Sequence, residues 1–97
     1  MRKVSQQEIR ESAAACEAAR AQVARESAAR DQFALNQNKF IETGHQHGMS
    51  SVEATELFEK VLKGHQNAHA AAVEHCTEEC EWYEEIKREF AIQNPDK

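Results

Sequence analysis

The stretch that decides the fold is IETGHQHGMSSVEATELF, residues 41–58. Gly44 predicts the end of a helix there, because glycine readily takes the left-handed conformation that often follows a last helical turn. Ser50 and Glu53 then form a Ser-x-x-Glu capping box, which is typical of the first turn of a new helix. The stretch therefore predicts a turn over about residues 44–50 between two helices.

Both flanks of this turn read as long helices. A second capping box at residues 5–8 precedes a segment without Gly or Pro, which predicts a helix over about residues 6–43. The second flank predicts a helix over about residues 51–92, closed by Asn-Pro, with Gly64 as a tolerated residue or a mild kink. Two long helices and a short turn predict an all-α class, a long antiparallel helical hairpin in a single domain.

Large apolar side chains are scarce in this chain. Alanine accounts for 16 of the 97 residues, and Leu, Ile, Val and Phe together account for another 16. Projection at about 100° per residue places the apolar residues of the second helix on one stripe, but near the turn the apolar surface widens beyond it. Two helices cannot cover both faces, so we expect a homodimer that forms a four-helix bundle. The expected core and dimer residues are Ile9, Val23, Phe33, Phe40, Leu57, Phe58, Leu62 and Phe90.

Folding the chain about His47 predicts which residues face each other. Cys16 then lies opposite Cys76 and Cys80, and Phe40 lies near Ala54. The cysteine count is odd, and the N-terminal residues lack the apolar segment of a signal peptide. No apolar run approaches the length of a membrane span. We therefore expect reduced thiols, a cytoplasmic location and no association with a membrane.

The histidines and cysteines of the second helix suggest an alternative function in metal binding. His65 with His69, and Cys76 with Cys80, are spaced i, i+4, so each pair could chelate one ion, with Cys16 facing the second pair. Against a single zinc site, His69 and Cys76 are separated by about 10 Å along the helix axis, and the C-x2-C spacing is absent. The favoured interpretation has cysteines as small core residues, histidines as a polar layer in the seam, and no cofactor.

Negative charge is concentrated in residues 74–89, EHCTEECEWYEEIKRE. This segment contains seven Glu, one Lys and one Arg, and its net charge of −5 equals that of the whole chain. An acidic surface disfavours direct binding to DNA or RNA and suits a basic protein surface, where an exposed aromatic residue can anchor the contact. The expected partner-binding residues are Glu78, Glu81, Trp82, Tyr83 and Glu85.

No feature of the sequence predicts an enzyme. The adjacent His75 and Cys76 point about 100° apart on a helix, so they do not form a nucleophile–base pair. There is no Gly-rich phosphate-binding loop, and a plain hairpin offers no concave pocket. We therefore expect a small protein-binding regulator, inhibitor or adaptor. An inhibitor from a phage or mobile element that acts on a basic, nucleic-acid-binding partner is one form of it, and the metal-binding or metal-sensing bundle is the alternative.

Overall fold

Most of the chain that the structure describes is helical, with two short interruptions between the helices. In a computed structural model, which describes residues 3–95, it forms α1 (Gln6–Leu35), α2 (Gln37–Gln46) and α3 (Ser51–Gln93). These helices contain 30, 10 and 43 residues, and no strand occurs among residues 3–95. The predicted all-α class and helical hairpin are confirmed, and α3 matches the predicted second helix to within one residue.

The chain separates into two compact units. The turn unit contains Ala24–Ala71, and the terminal unit contains the residues up to Val23 together with those from Ala72 onward. Both α1 and α3 contribute residues to each unit. Within each unit, a segment of α3 packs antiparallel to the helical segment that precedes it in the chain. The single domain expected from the sequence stays a prediction.

The capping box that begins α3 is complete. The Glu53 amide donates to Ser50 Oγ at 3.1 Å, and the Ser50 amide donates to Glu53 Oε1 at 3.1 Å. The hydrogen bond from the Ser50 amide is the main reason why the pKa of Glu53 lies below its usual value, and the Ser50 hydroxyl contributes further. At the start of α1, the Glu8 amide donates to Ser5 Oγ at 3.2 Å. Both predicted helix starts are confirmed.

The prediction of an uninterrupted first helix is wrong at Asn36. Its backbone has φ −102° and ψ 23°, outside the helical range. Its Nδ2 atom donates to the Gln32 carbonyl at 2.8 Å, and its amide bonds to the Phe33 carbonyl at 3.1 Å. Asparagine side chains compete for backbone carbonyls in this way, which is why they disfavour helix interiors. The helical ladder restarts at once, since the Phe40 amide donates to the Asn36 carbonyl at 2.9 Å.

The prediction that Gly44 ends the first helical arm is also wrong. Gly48 is the left-handed residue, with φ 86°. The Gly48 amide donates to the His45 carbonyl at 3.1 Å and the Met49 amide to the Gly44 carbonyl at 2.9 Å, the two bonds of a Schellman motif. Gly44 is buried inside α2, where a Cβ would lie 3.0 Å from the Ala54 Cβ. Its role is to let α2 and α3 approach each other closely.

In the turn unit, the residue of α3 that Phe40 contacts lies one helical turn beyond the residue predicted by folding the chain about His47. The ring centroids of Phe40 and Phe58 are 5.6 Å apart, whereas Ala54, the expected neighbour of Phe40, lies against Gly44. The shift follows from the length of α2. Because the helix continues past Gly44, the chain reverses nearer Gly48 than His47.

Aromatic rings form the core of the turn unit. Phe33 stacks on Phe58 with ring centroids 4.9 Å apart, and Phe40 packs edge-on against Phe33 at 5.6 Å. Phe58 is buried, with 3% of its surface exposed, and Leu57 next to it is 40% exposed. The other expected core residues are half-buried, namely Ile9, Val23, Phe33, Phe40, Leu62 and Phe90.

The expectation of reduced thiols is wrong for two of the three cysteines. In the terminal unit a disulfide joins Cys16 to Cys80, and their Cα atoms are 4.7 Å apart. The small buried residues Ser12, Cys16 and Ala19 share one face of α1, so that the backbones of α1 and α3 come within the range that a disulfide requires. Cys76 is the free cysteine of the described chain. The other buried apolar residues of this unit are Val4, Ala19, Ala72 and Ile86.

Candidate protein-binding site on helix α3

Four glutamates share one exposed face of α3 in the terminal unit. Glu74, Glu78, Glu81 and Glu85 are spaced i, i+4, i+7 and i+11, so they lie within a stripe about 60° wide and about 16 Å long. All four are exposed. Within residues 3–95, no ion pair involves any of them. We call this set the acidic stripe.

Trp82 lies at the edge of the acidic stripe. It is four residues after Glu78 and three before Glu85, which places it beside both on the helix surface. Its exposed fraction is 43%, so part of the indole is available for contact. A large, rigid aromatic side chain next to a charged surface is the residue type that most often dominates the energy of a protein interface.

Tyr83 is separated from the other predicted partner-binding residues. It projects about 180° away from Glu74 around the helix, and it is half-buried. The Lys87 ammonium lies 4.3 Å from the centroid of the Tyr83 ring and 2.9 Å from Glu84 Oε1. The hydrogen bond to Glu84 is the main cause of the raised pKa of Lys87. Lys87 therefore covers the Tyr83 ring, which lies off the acidic stripe.

A groove of about 510 Å³ runs beside the acidic stripe. It contains two stripe residues, Glu81 and Glu85, and reaches Cys80 on its other side. The groove brings three carboxylates, of Glu81, Glu84 and Glu85, to one concave surface together with the Arg88 guanidinium. Its lining residues are Thr77, Cys80, Glu81, Glu84, Glu85 and Arg88.

A second, apolar groove of about 440 Å³ lies in the turn unit. It brings together three of the expected dimer residues, Phe33, Phe40 and Leu57. This groove departs from the expectation that a plain hairpin offers no concave pocket. Its lining includes Asn36, where the helix is interrupted, and Gly44, where α2 and α3 approach each other closely. The remaining lining residues are Asn36, Lys39, Thr43, Gly44, His47 and Met49.

The candidate metal ligands are engaged in other contacts. The His65 ring packs on the Phe33 ring, with centroids 5.0 Å apart, and His69 Nδ1 lies 3.3 Å from Arg30 Nη1. A guanidinium only donates, so His69 Nδ1 accepts this hydrogen bond and does not face a metal. The prediction that Cys16 and Cys80 could bind a metal ion as thiolates is wrong, because their sulfurs are bonded to each other. No group of three or more His, Cys, Asp or Glu that could hold a metal ion is found in the described part of the chain.

Comparison of the chain with protein-family models, curated proteins and solved structures finds no match. Among the helices described, none has the length and apolar character needed to cross a membrane. The acidic stripe, Trp82 and the two grooves are therefore the features from which a function can be inferred.

Proposed function

We propose that this protein is a non-enzymatic interaction module that binds a basic surface of another protein through the acidic stripe, with Trp82 as its apolar anchor. The observation that supports this most is the exposure of four glutamates, none of them in an ion pair within residues 3–95, beside a tryptophan that is 43% exposed. Like charges spaced i, i+4 on a helix repel each other by a few tenths of a kcal/mol per pair, and a cationic partner would relieve that repulsion. The same charge opposes direct binding to nucleic acid.

The two parts of the site contribute to binding in different ways. The glutamates attract a Lys/Arg-rich surface over a distance and so mainly raise the association rate. Trp82 loses contact with water only in the docked complex, so it mainly slows dissociation. A basic protein whose own surface binds nucleic acid has the required chemistry, and occupation of that surface would make this chain an inhibitor or regulator.

We further propose that two copies associate through the apolar groove of the turn unit to give a four-helix bundle. The groove exposes part of Leu57 and borders on two half-buried phenylalanines, Phe33 and Phe40. A two-fold axis would place this apolar surface of one copy against the same surface of the other, as in most homodimers. Burial of this surface would add to the thin core of the turn unit.

The cytoplasmic location stays a prediction. Disulfides persist mainly in oxidising compartments, whereas those of reducing compartments usually form and break as part of a function. The Cys16–Cys80 bond therefore supports either an oxidising location or a bond that is exchanged in the cell.

The partner proposal is tested by comparing two charge variants as baits. The stripe variant carries Glu78→Gln, Glu81→Gln and Glu85→Gln. The matched control carries the same number of changes at exposed glutamates elsewhere, Glu17→Gln, Glu42→Gln and Glu56→Gln. We expect a basic protein from the native host that the wild type and the control retain and the stripe variant loses. If every retained protein binds the three baits equally, the acidic stripe is not the binding surface.

The same partner, once purified, separates the two energetic contributions by surface plasmon resonance. Raising the salt concentration from about 0.05 to 0.5 M shortens the screening length from roughly 14 to 4 Å and should slow association. Trp82→Ala should raise the dissociation rate about 30-fold, which corresponds to about 2 kcal/mol. Leu35→Ala is the control, since Leu35 is also exposed, at 86%, but belongs to the turn unit. Equal dissociation rates for both variants would exclude Trp82 as the anchor.

The dimer proposal is tested by light scattering. We expect a particle of twice the chain mass of 11.0 kDa at micromolar concentration. Leu57→Glu should return it to the monomer mass, because it places a charge in the apolar groove. Val52→Glu, also on α3 and 66% exposed but not part of the groove, should leave the dimer intact. A wild-type particle of monomer mass would refute dimerisation.

A further inference from the structure

The sulfur atoms of Cys76 and Cys80 lie close together in the terminal unit. Cys80 is bonded to Cys16, and the Cys76 Sγ atom lies 4.0 Å from the Cys80 Sγ atom, one helical turn earlier on α3. A disulfide sulfur carries no proton, so Cys76 is the donor in this contact and Cys80 the acceptor. Cys76 and Cys80 are half-buried, whereas Cys16 is buried with 3% exposed. A free thiol therefore lies next to the more accessible sulfur of the disulfide.

We propose that Cys16, Cys76 and Cys80 form a thiol–disulfide exchange centre that moves the bond from between α1 and α3 to within α3. The Cys76 thiolate, after losing its proton to water, attacks the Cys80 Sγ atom. A Cys76–Cys80 bond forms, the Cys16–Cys80 bond breaks, and its electron pair leaves on Cys16, which takes up a proton. One disulfide and one thiol are present before and after, so the step needs neither an oxidant nor a reductant.

Helix geometry determines which form predominates. Residues spaced i, i+4 have Cβ atoms about 5–6 Å apart, whereas a disulfide prefers about 3.5–4.5 Å. The helical turn over residues 76–80 must therefore distort to hold a Cys76–Cys80 bond. Cys16–Cys80 remains the major form, and the exchanged form is a minor state, of about 1–10%.

The exchange has a structural consequence for the terminal unit. It removes the covalent link between α1 and α3, which are otherwise held there by a few small buried residues and by Val4 and Ile86. The unit could then loosen without an external reductant. This proposal does not rest on the proposed partner binding, because the exchange concerns the three sulfurs alone.

The first test asks whether Cys76 and Cys80 can bond to each other. Cys16→Ser is kept dilute in a buffer of reduced and oxidised glutathione, and Cys80→Ser is the matched control, since each retains two cysteines. We expect an intramolecular Cys76–Cys80 bond in Cys16→Ser, identified by mass spectrometry after cleavage at Glu78 and Glu79. We expect two free thiols in Cys80→Ser. Two free thiols in Cys16→Ser, or an equal yield of disulfide in both variants, would overturn the proposal.

The second test follows the exchange in the wild type itself, with the Cys76→Ser variant as its control. The oxidised protein is held at neutral pH, quenched with acid, alkylated at its free thiol and digested with pepsin under acid. We expect most of the label on Cys76 and about 1–10% on Cys16, with none on Cys16 in the Cys76→Ser variant. Label on Cys76 alone, label on Cys80 in place of Cys16, or the same label on Cys16 without Cys76 would each contradict the exchange.

Discussion

Reduction of the Cys16–Cys80 disulfide should lower the free energy of unfolding by about 4 kcal/mol. The two cysteines are separated by 64 positions in sequence. A cross-link that closes a loop of this length removes chain entropy from the unfolded state that is worth about 4 kcal/mol at 25 °C. A chain of this size has a total stability of about 5–15 kcal/mol, so the disulfide would supply a large share of it.

Urea denaturation of the wild type with and without reductant measures this effect without changing a side chain. With a slope of about 1.5 kcal/mol per molar urea, the midpoint should fall by about 3 M on reduction. The slope itself should rise, because the unfolded chain without a cross-link exposes more surface. The variant with Cys16→Ala and Cys80→Ala should have the urea midpoint of the reduced wild type, and reductant should not change it. The midpoint of Cys76→Ala should fall on reduction as much as that of the wild type.

The decisive observation is the midpoint of protein whose thiols are shown to be fully reduced. If it equals the midpoint of the oxidised protein, the loop-closure reasoning fails for this chain. A thiol count on protein that was purified without reductant and then unfolded tests the bond itself. Three reactive thiols would show that the disulfide is absent.

Four smaller substitutions test the local structure, each by the same denaturation assay. Gly64→Ala should raise the free energy of unfolding by about 1 kcal/mol, because the added Cβ meets nothing within 4 Å in the interior of α3. Gly44→Ala should lower the free energy of unfolding by about 1–3 kcal/mol, because its added Cβ would lie 3.0 Å from the Ala54 Cβ. Gly48→Ala should lower it by about 1–2 kcal/mol, since φ is 86° there. Glu53→Gln should lower the urea midpoint at neutral pH. Because the folded-state pKa of Glu53 is depressed, this difference from the wild type should be present above the unfolded-state pKa and vanish as the pH falls through the folded-state pKa. A constant difference at all pH values would contradict this role of its carboxylate.

The features that could be predicted from the sequence are those set by neighbouring residues. The capping box of Ser50 and Glu53 closes over three positions, so its hydrogen bonds depend on little else. The acidic stripe needs only that α3 is helical, because spacing alone then places its glutamates on one face. Glu74 was missed as a member of this stripe, although its position four residues before Glu78 was the available signal.

The features that the sequence could not predict depend on packing between helices. Gly44 and Gly48 both suit a left-handed turn, and the choice between them depends on the contact of Gly44 with Ala54 across the two helices. The interruption at Asn36 depends on a bond that its side chain makes in competition with the backbone, which composition does not determine. The disulfide was obscured by the odd cysteine count, although folding the chain about His47 already placed Cys16 opposite Cys80.

The disulfide also changes the argument for dimerisation. A scarcity of large apolar residues suggested a chain that relies on a second copy to complete its core. The cross-link supplies stability by another route, since it acts on the unfolded state and needs no buried area. We therefore infer a dimer from the apolar groove of the turn unit, and from Leu57 in particular, which is 40% exposed there. It follows that reduction should lower the unfolding midpoint of Leu57→Glu as much as that of the wild type, because Cys16 and Cys80 belong to the terminal unit.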